Sequence, residues 1–338
     1  MDPYHKMTQA MGFNIDSLMR RNIQLLMALV MGSVMVALGQ KEPQYTQYMY
    51  NIGSFNPAYV GTVETPEIMG LYRAQWVDIP GAPRTMRFGT NIPLANGKNG
   101  LGFNIINDQL GPFTQTYLDV AYSFQVNVSD NTRLSFGIDA GGSLLNVDLT
   151  KGSFEITPEP LLNSLSTNNF YPTIGAGTFL YSDDWYLGLS IPNFLTNGIY
   201  NDEVATLVED RVQFNLIGGY VFDLSESLKF KPAFLMNYLK GSPVNFNVST
   251  NFLINDVFTA GASYRLDNAI SGLAGFQVNG GMFVGYAYDH NSNGLGEFSG
   301  GTHEVILKFF IGRGAGGSKP KPKNAKGKPK QIDTPRFF

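Results

Sequence analysis

The sequence predicts an all-β fold: a transmembrane antiparallel β-barrel, fourteen strands by count, with an N-terminal signal peptide before it and a disordered basic C-terminal tail after it. Three observations carry this reading. From Gln115 to Val126, apolar Leu118, Val120, Tyr122, Phe124 and Val126 alternate with Tyr117, Asp119, Ala121, Ser123 and Gln125, a period of two that gives an extended chain one greasy face. This run matches the about 9–11 residues of a tilted strand crossing a bilayer and exceeds the about 5–6 usual in soluble sheets. The alternation then recurs along the chain, and the connections between the repeats sort by length onto two sides. Composition permits such a barrel, with 43% apolar and 15% charged residues, 38 Gly, 25 Phe and 17 Tyr; charge lies below the about 25% usual in soluble domains.

Taken in order, residues 1–39 read as a signal peptide. Arg20-Arg21-Asn22 opens a basic region, an apolar run follows, and Ala37-Leu38-Gly39 supplies small residues for cleavage before Gln40. Met19 would make a more ordinary start, so residues 1–18 are expected to lie upstream of the true one. The chain has no Cys, which excludes a lipoprotein signal. After Gly39 no apolar run is long enough to span a bilayer as a helix.

Residues 40–66 form a pre-barrel segment. Tyr45, Tyr48, Tyr50, Phe55 and Tyr59 fall here without strand alternation, and that much aromatic surface requires burial, at the periplasmic mouth or in the lumen.

The barrel itself is expected over 67–312. Alternation places strands near 67–75, 84–92, 100–107, 115–126, 132–141, 171–181, 184–191, 211–222, 228–238, 244–253, 257–265, 269–278, 281–289 and 302–311. Pro232 interrupts one of them, which predicts a bulge or a misplaced boundary, because proline lacks a ladder donor. Connections 93–99, 127–131, 182–183, 223–227, 254–256 and 279–280 are short, whereas 142–170, 192–210 and 290–301 are long and all fall on the other side. Bacterial barrels have short periplasmic turns and long outward loops, and an even strand count returns both ends to the periplasm. The outward parity carries Leu, Val, Ile and Phe, with Trp76, Tyr122, Trp185, Tyr220, Tyr238, Tyr286 and Tyr288 suited to an interfacial girdle. Charges on the inward parity are of both signs: Arg73, Arg87, Asp119, Arg133, Asp139, Lys229, Lys231, Arg265, Asp289, Glu304 and Lys308. Such mixing suits paired lumenal networks better than a selective ion pore.

Residues 313–338 form a Gly- and Pro-rich tail with eight Lys or Arg against Asp333. It is expected to be extended, flexible and periplasmic. Its end, Pro335-Arg336-Phe337-Phe338, is apolar enough to suggest a specific contact.

Little catalytic chemistry is available. Without Cys, and with His5, His290 and His303 as the only histidines, thiol catalysis and a His-rich metal site are excluded, and no cofactor or metal is expected. His290 beside Ser292 is the nearest approach to an outer-membrane hydrolase. No nucleic-acid module fits an exported barrel.

The most distinctive stretch is Leu71 to Thr85, LYRAQWVDIPGAPRT, in which the first hairpin turns through two prolines and a glycine. That run, together with QYTQYMYNIGSFNPAYVG before it, QLGPF after it and TPRFF at the end, resembles the PorP/SprF family of type IX secretion system outer-membrane proteins. The resemblance implies an outer-membrane barrel, not an enzyme, that anchors or helps export a secreted surface protein recognised through its C-terminal domain. It also implies a role in adhesin attachment and gliding motility, and association with a periplasmic secretion-ring component. Its partners would therefore be these two proteins and outer-membrane lipid, with no nucleic acid. Tyr72, Arg73, Gln75, Trp76, Pro80, Gly81, Pro83 and Arg84 of the hairpin, and Pro335, Arg336, Phe337 and Phe338 of the tail, are the candidate partner-binding residues. A general diffusion porin is the alternative.

Overall fold

The structure, a computed structural model, describes residues 43–95, 97–148, 167–195, 212–239, 242–266, 269–292 and 299–312. The leader, the tail with Pro335 to Phe338, and most of the three long connections lie outside the described residues.

The strands are β1 Glu67–Ala74, β2 Arg84–Pro93, β3 Asn99–Leu110, β4 Phe113–Asn127, β5 Arg133–Val147, β6 Thr167–Tyr181, β7 Trp185–Ile191, β8 Gln213–Tyr220, β9 Phe222–Ser225, β10 Leu228–Leu239, β11 Asn245–Ile254, β12 Phe258–Arg265, β13 Ala269–Asn279, β14 Met282–Asn291 and β15 Thr302–Phe310. Each pairs antiparallel with its neighbours, and β1 pairs with β15, so the sheet closes on itself. β8 and β9 both pair with β10 and are two halves of one barrel strand, which makes the barrel fourteen-stranded. Closure leaves no sheet edge and satisfies the backbone within the wall, the condition for a strand to cross lipid.

The break between β8 and β9 comes from Pro232. Ala233 pairs with Gly219 and Phe230 with Phe222, so the register is the same on both sides of the gap at Lys231 and Pro232. The bulge expected at Pro232 is not at the proline itself, which withholds one donor without changing the register; the irregularity of the β9–β10 pairing lies further on, between Leu228 and Lys229. Val221 N–H turns to the other neighbour and donates to the Asp184 carbonyl at 2.7 Å.

The outward face follows the sequence parity. Leu118, Val120, Tyr122 and Phe124 are 48, 55, 43 and 41% exposed, while Ala121 and Ser123 between them are buried. Alternation stops short at several strand ends, furthest at β5 and β6. β5 runs on to Val147 and β6 begins at Thr167, pairing residue for residue, so the ends of the connection expected over 142–170 are strand. Gly141 and Gly142 erase the side-chain pattern there without interrupting the backbone ladder.

The barrel has two unlike ends. At one, the turns are short, as at 128–132 between β4 and β5; this is the short-turn rim. The other, the loop rim, carries the connection 75–83 and the three long connections.

Candidate functional site

Residues 45–63 occupy the barrel interior. The segment folds as three successive 3-10 turns, Tyr48–Tyr50, Ile52–Ser54 and Pro57–Tyr59. The last is capped by the Asn56 side chain, which accepts from Ala58 N–H, with Pro57 preset at the first position. Sequence patterning misses such turns because single 3-10 turns carry no extended periodicity.

The plug is held mainly by polar contacts. Arg73 is 1% exposed; it donates to Asp289 Oδ2 at 2.8 Å, and to Glu304 Oε2 and Thr46 Oγ1, each at 2.9 Å. Glu304 in turn accepts the backbone N–H groups of Thr46 at 2.9 Å and Gln47 at 2.8 Å, and Thr46 Oγ1 donates to Asp289. One guanidinium, two carboxylates and two backbone amides thus satisfy one another's hydrogen bonds away from water, the arrangement that makes such charges least costly to bury. Further along, Tyr48 donates to the Ala233 carbonyl at 2.8 Å, Arg87 to Asn51 Oδ1, Asn56 to the Thr178 carbonyl at 2.9 Å, Ser135 to the Ala58 carbonyl at 2.7 Å, and Gln125 to the Gly61 carbonyl.

Apolar packing fills the rest. Tyr50 meets Phe283 with centroids 5.3 Å apart, Tyr59 meets Phe179 at 5.5 Å, and Lys231 Nζ lies 5.7 Å from the Tyr50 and Tyr186 rings, a buried cation over aromatic faces. Room for the plug's backbone comes from inward-facing glycines. A Cβ at Gly137 would strike the backbone of Pro57 and Ala58, one at Gly177 the Asn56 amide, and one at Gly100 the backbone of Gly61. These glycines, with Thr46, Asn51 and Asn56, are the residues that sequence reasoning did not single out. Their signal is glycine on the lumen parity of long strands.

The second feature is the hairpin 75–83 at the loop rim. Gln75 N–H donates to Pro83 O at 3.0 Å and Ala82 N–H to Ile79 O at 3.2 Å, closing the turn on itself. Val77 exchanges bonds with Gly301 and Gly300 at 2.9 and 2.8 Å, Trp76 N–H donates to Thr302 Oγ1 at 3.2 Å, and Gly111 N–H donates to Gly81 O at 2.9 Å. The turn is braced from both flanks. Trp76 and Asp78 hold φ of 46° and 77°, a conformation L residues adopt at a cost and keep only where the surroundings enforce it.

The candidate residues of this motif go three ways. Gln75, Trp76, Pro80, Gly81, Pro83 and Arg84 gather at the loop rim, where Pro80, Gly81 and Arg84 are exposed. Tyr72 points outward at 42% exposure, and Arg73 points inward to the plug. His290 lies on the outward parity of β14 with Tyr286 and Tyr288.

A family model described as "Type IX secretion system membrane protein PorP/SprF" matches residues 37–309. No curated protein matches the chain. Among solved structures, the chain is similar to the Acinetobacter baumannii outer membrane protein Omp33, at 8% identity and a TM-score of 0.43 over 74% of this chain and 100% of that one. It is also similar to the CymD monoaromatic hydrocarbon channel, at 13% identity and 0.45 over 78% and 91%. A Pseudomonas aeruginosa FadL homologue matches at 13% identity and 0.41 over 80% and 94%.

Proposed function

This chain belongs to the PorP/SprF family of type IX secretion system membrane proteins, and from that premise we propose that it is a non-enzymatic outer-membrane barrel that holds or helps export a specific secreted surface protein at its loop rim. The observation that carries the reading is the filled lumen. Tyr48, Arg73, Lys231, Phe283 and Glu304 are all under 2% exposed at the level of the plug. A diffusion porin needs an open water-filled passage there, whereas an anchor needs a rigid scaffold that presents binding groups at one rim.

The braced hairpin supports the same reading. Gln75, Trp76, Pro80, Gly81 and Arg84 form a stiff platform, and stiffness lowers the ordering cost of binding. In this proposal the loop rim faces the exterior, both barrel ends return to the periplasm, and the platform meets the C-terminal domain of the secreted protein, an adhesin in a gliding cell. The basic tail, ending in Pro335, Arg336, Phe337 and Phe338, meets a periplasmic ring component.

Deleting the chain tests the proposal. Surface protein should leave the outer-membrane fraction and appear in the medium or the periplasm, with small-solute uptake unchanged. Reduced uptake with normal surface display would favour the porin reading instead.

A further inference from the structure

The plug runs the full height of the barrel. Its first residues lie at the loop rim. Thr46 and Gln47 donate to Glu304, two residues into β15 from Thr302, and Thr46 also donates to Asp289, two residues from the Asn291 end of β14. Its last residues lie at the short-turn rim. Gly61 O accepts from Gln125, two residues from the Asn127 end of β4, and Gly61 packs against Gly100, one residue into β3. The chain then reaches Pro66, whose carbonyl accepts Ile311 N–H at 2.8 Å, and begins β1 at that same short-turn rim.

We infer that the chain is threaded through its own barrel from the loop rim to the short-turn rim, so that its amino-terminal end is displayed beside the braced hairpin. A chain end doubling back to the short-turn rim would have to pass Arg73 and Glu304 near the loop rim, Tyr48, and then Lys231 and Phe283 nearer the short-turn rim, side chains all packed without solvent access. Pro43 and Gln44, just before the buried Tyr45, are by contrast half-buried, as expected where a chain emerges from packing. The amino-terminal end thereby becomes part of the surface available to a partner on the loop rim. The sidedness of that display rests on the proposed function, which puts the loop rim outside; the threading does not.

The absence of native cysteine makes the test direct. Single-cysteine full-length chains carrying Gln44→Cys, Pro80→Cys at the loop rim or Asp130→Cys at the short-turn rim are treated with a membrane-impermeant maleimide on intact and on permeabilised cells. A second reporter is an epitope inserted just before Pro43, with heat-modifiable mobility confirming a folded barrel. Gln44→Cys and the epitope should follow Pro80→Cys in both conditions. If Pro80→Cys and Asp130→Cys exchange their expected behaviour, the orientation in the proposed function is wrong, yet threading stands so long as Gln44→Cys still follows Pro80→Cys. An amino-terminal reporter that follows Asp130→Cys, or that is silent in both conditions, overturns the inference.

Discussion

Arg73 and Glu304 lie directly opposite each other across the seam where β1 meets β15, and their side chains close a 2.9 Å ion pair inside the barrel. The pair joins the first strand to the last, and Glu304 also holds the backbone of Thr46 and Gln47. Closure of the wall and seating of the plug therefore depend on the same charges.

Replacing Arg73 with Met should leave Glu304 and Asp289 buried without their hydrogen-bonded guanidinium, with Arg265 the nearby cation that remains, a loss of about 3–5 kcal/mol by the usual cost of breaking a buried pair. The urea midpoint of the refolded barrel should fall and conductance steps should appear in planar bilayers. Adding Glu304→Gln and Asp289→Asn should recover part of the loss, since the uncompensated charges are then gone. A barrel carrying Arg73→Met that stays stable and closed would show that the network does not hold the plug.

The two faces of β4 give a paired expectation. Val120 is 55% exposed on the outward face, and Val120→Arg should cost about 2–4 kcal/mol near the bilayer midplane. Asp119 accepts from Asn104 Nδ2 at 2.8 Å on the inward face, and Asp119→Asn should be mild because one carbonyl oxygen preserves that bond. Equal heat-modifiable mobility of the two variants would sink the face assignment.

Lumen-parity glycines that touch the plug should be intolerant of a side chain, whereas a glycine on the outward face, such as Gly272 of β13, should tolerate one. Gly137→Ala drives a methyl into the backbone of Pro57 and Ala58, an overpacking that typically costs about 1–3 kcal/mol. A Cβ at Gly272 meets nothing within 4 Å, so Gly272→Ala should stay within about 0.5 kcal/mol of the parent. Urea midpoints of the two variants decide; a smaller loss for Gly137→Ala than for Gly272→Ala would mean that the plug is not seated against β5.

The wall was legible in the sequence because side-chain parity and lipid exposure share one period, as Leu118 to Phe124 illustrate. Where glycines erase the side chains, at Gly141 and Gly142, the pattern stopped and the strand did not. The plug was legible only as aromatic surface in need of burial. Its shape depends on single contacts between distant positions, such as Asn56 with Thr178 and Tyr48 with Ala233, and no local period encodes those. In the sequence Arg73 is both an inward charge and a member of the candidate partner-binding motif, because motif membership alone does not separate the inward side chain from its rim neighbours Gln75 and Trp76.

At the other rim, truncation after Lys330 removes Pro335 to Phe338 and leaves every described strand intact. Barrel folding should be unchanged, while cross-linking to the periplasmic ring component should be lost. Exchanging the tail lysines for glutamines should instead weaken association mainly at low salt, since long-range attraction is screened over about 10 Å at 0.1 M. Unaltered cross-linking and cargo display in the truncated chain would make the tail a passive extension.

The hairpin platform can be tested apart from the barrel. Gly81 holds φ of 74° at the exposed tip, and its carbonyl accepts Gly111 N–H. Valine tolerates that conformation poorly, so Gly81→Val should force the turn out of shape at a local cost of about 1–3 kcal/mol. The brace to Gly111 should break while β1 and β2, paired from Ala74–Arg84 down to Glu67–Asn91, keep their register. Asp78→Gly is the matching control: it relieves a left-handed residue with φ of 77° and should preserve the turn with little net change, because the strain relieved is offset by the added freedom of the unfolded chain. Retention of the secreted protein on the outer membrane should drop for Gly81→Val and persist for Asp78→Gly, with both barrels equally heat-modifiable. Full retention by a folded Gly81→Val barrel would remove the hairpin from the docking surface.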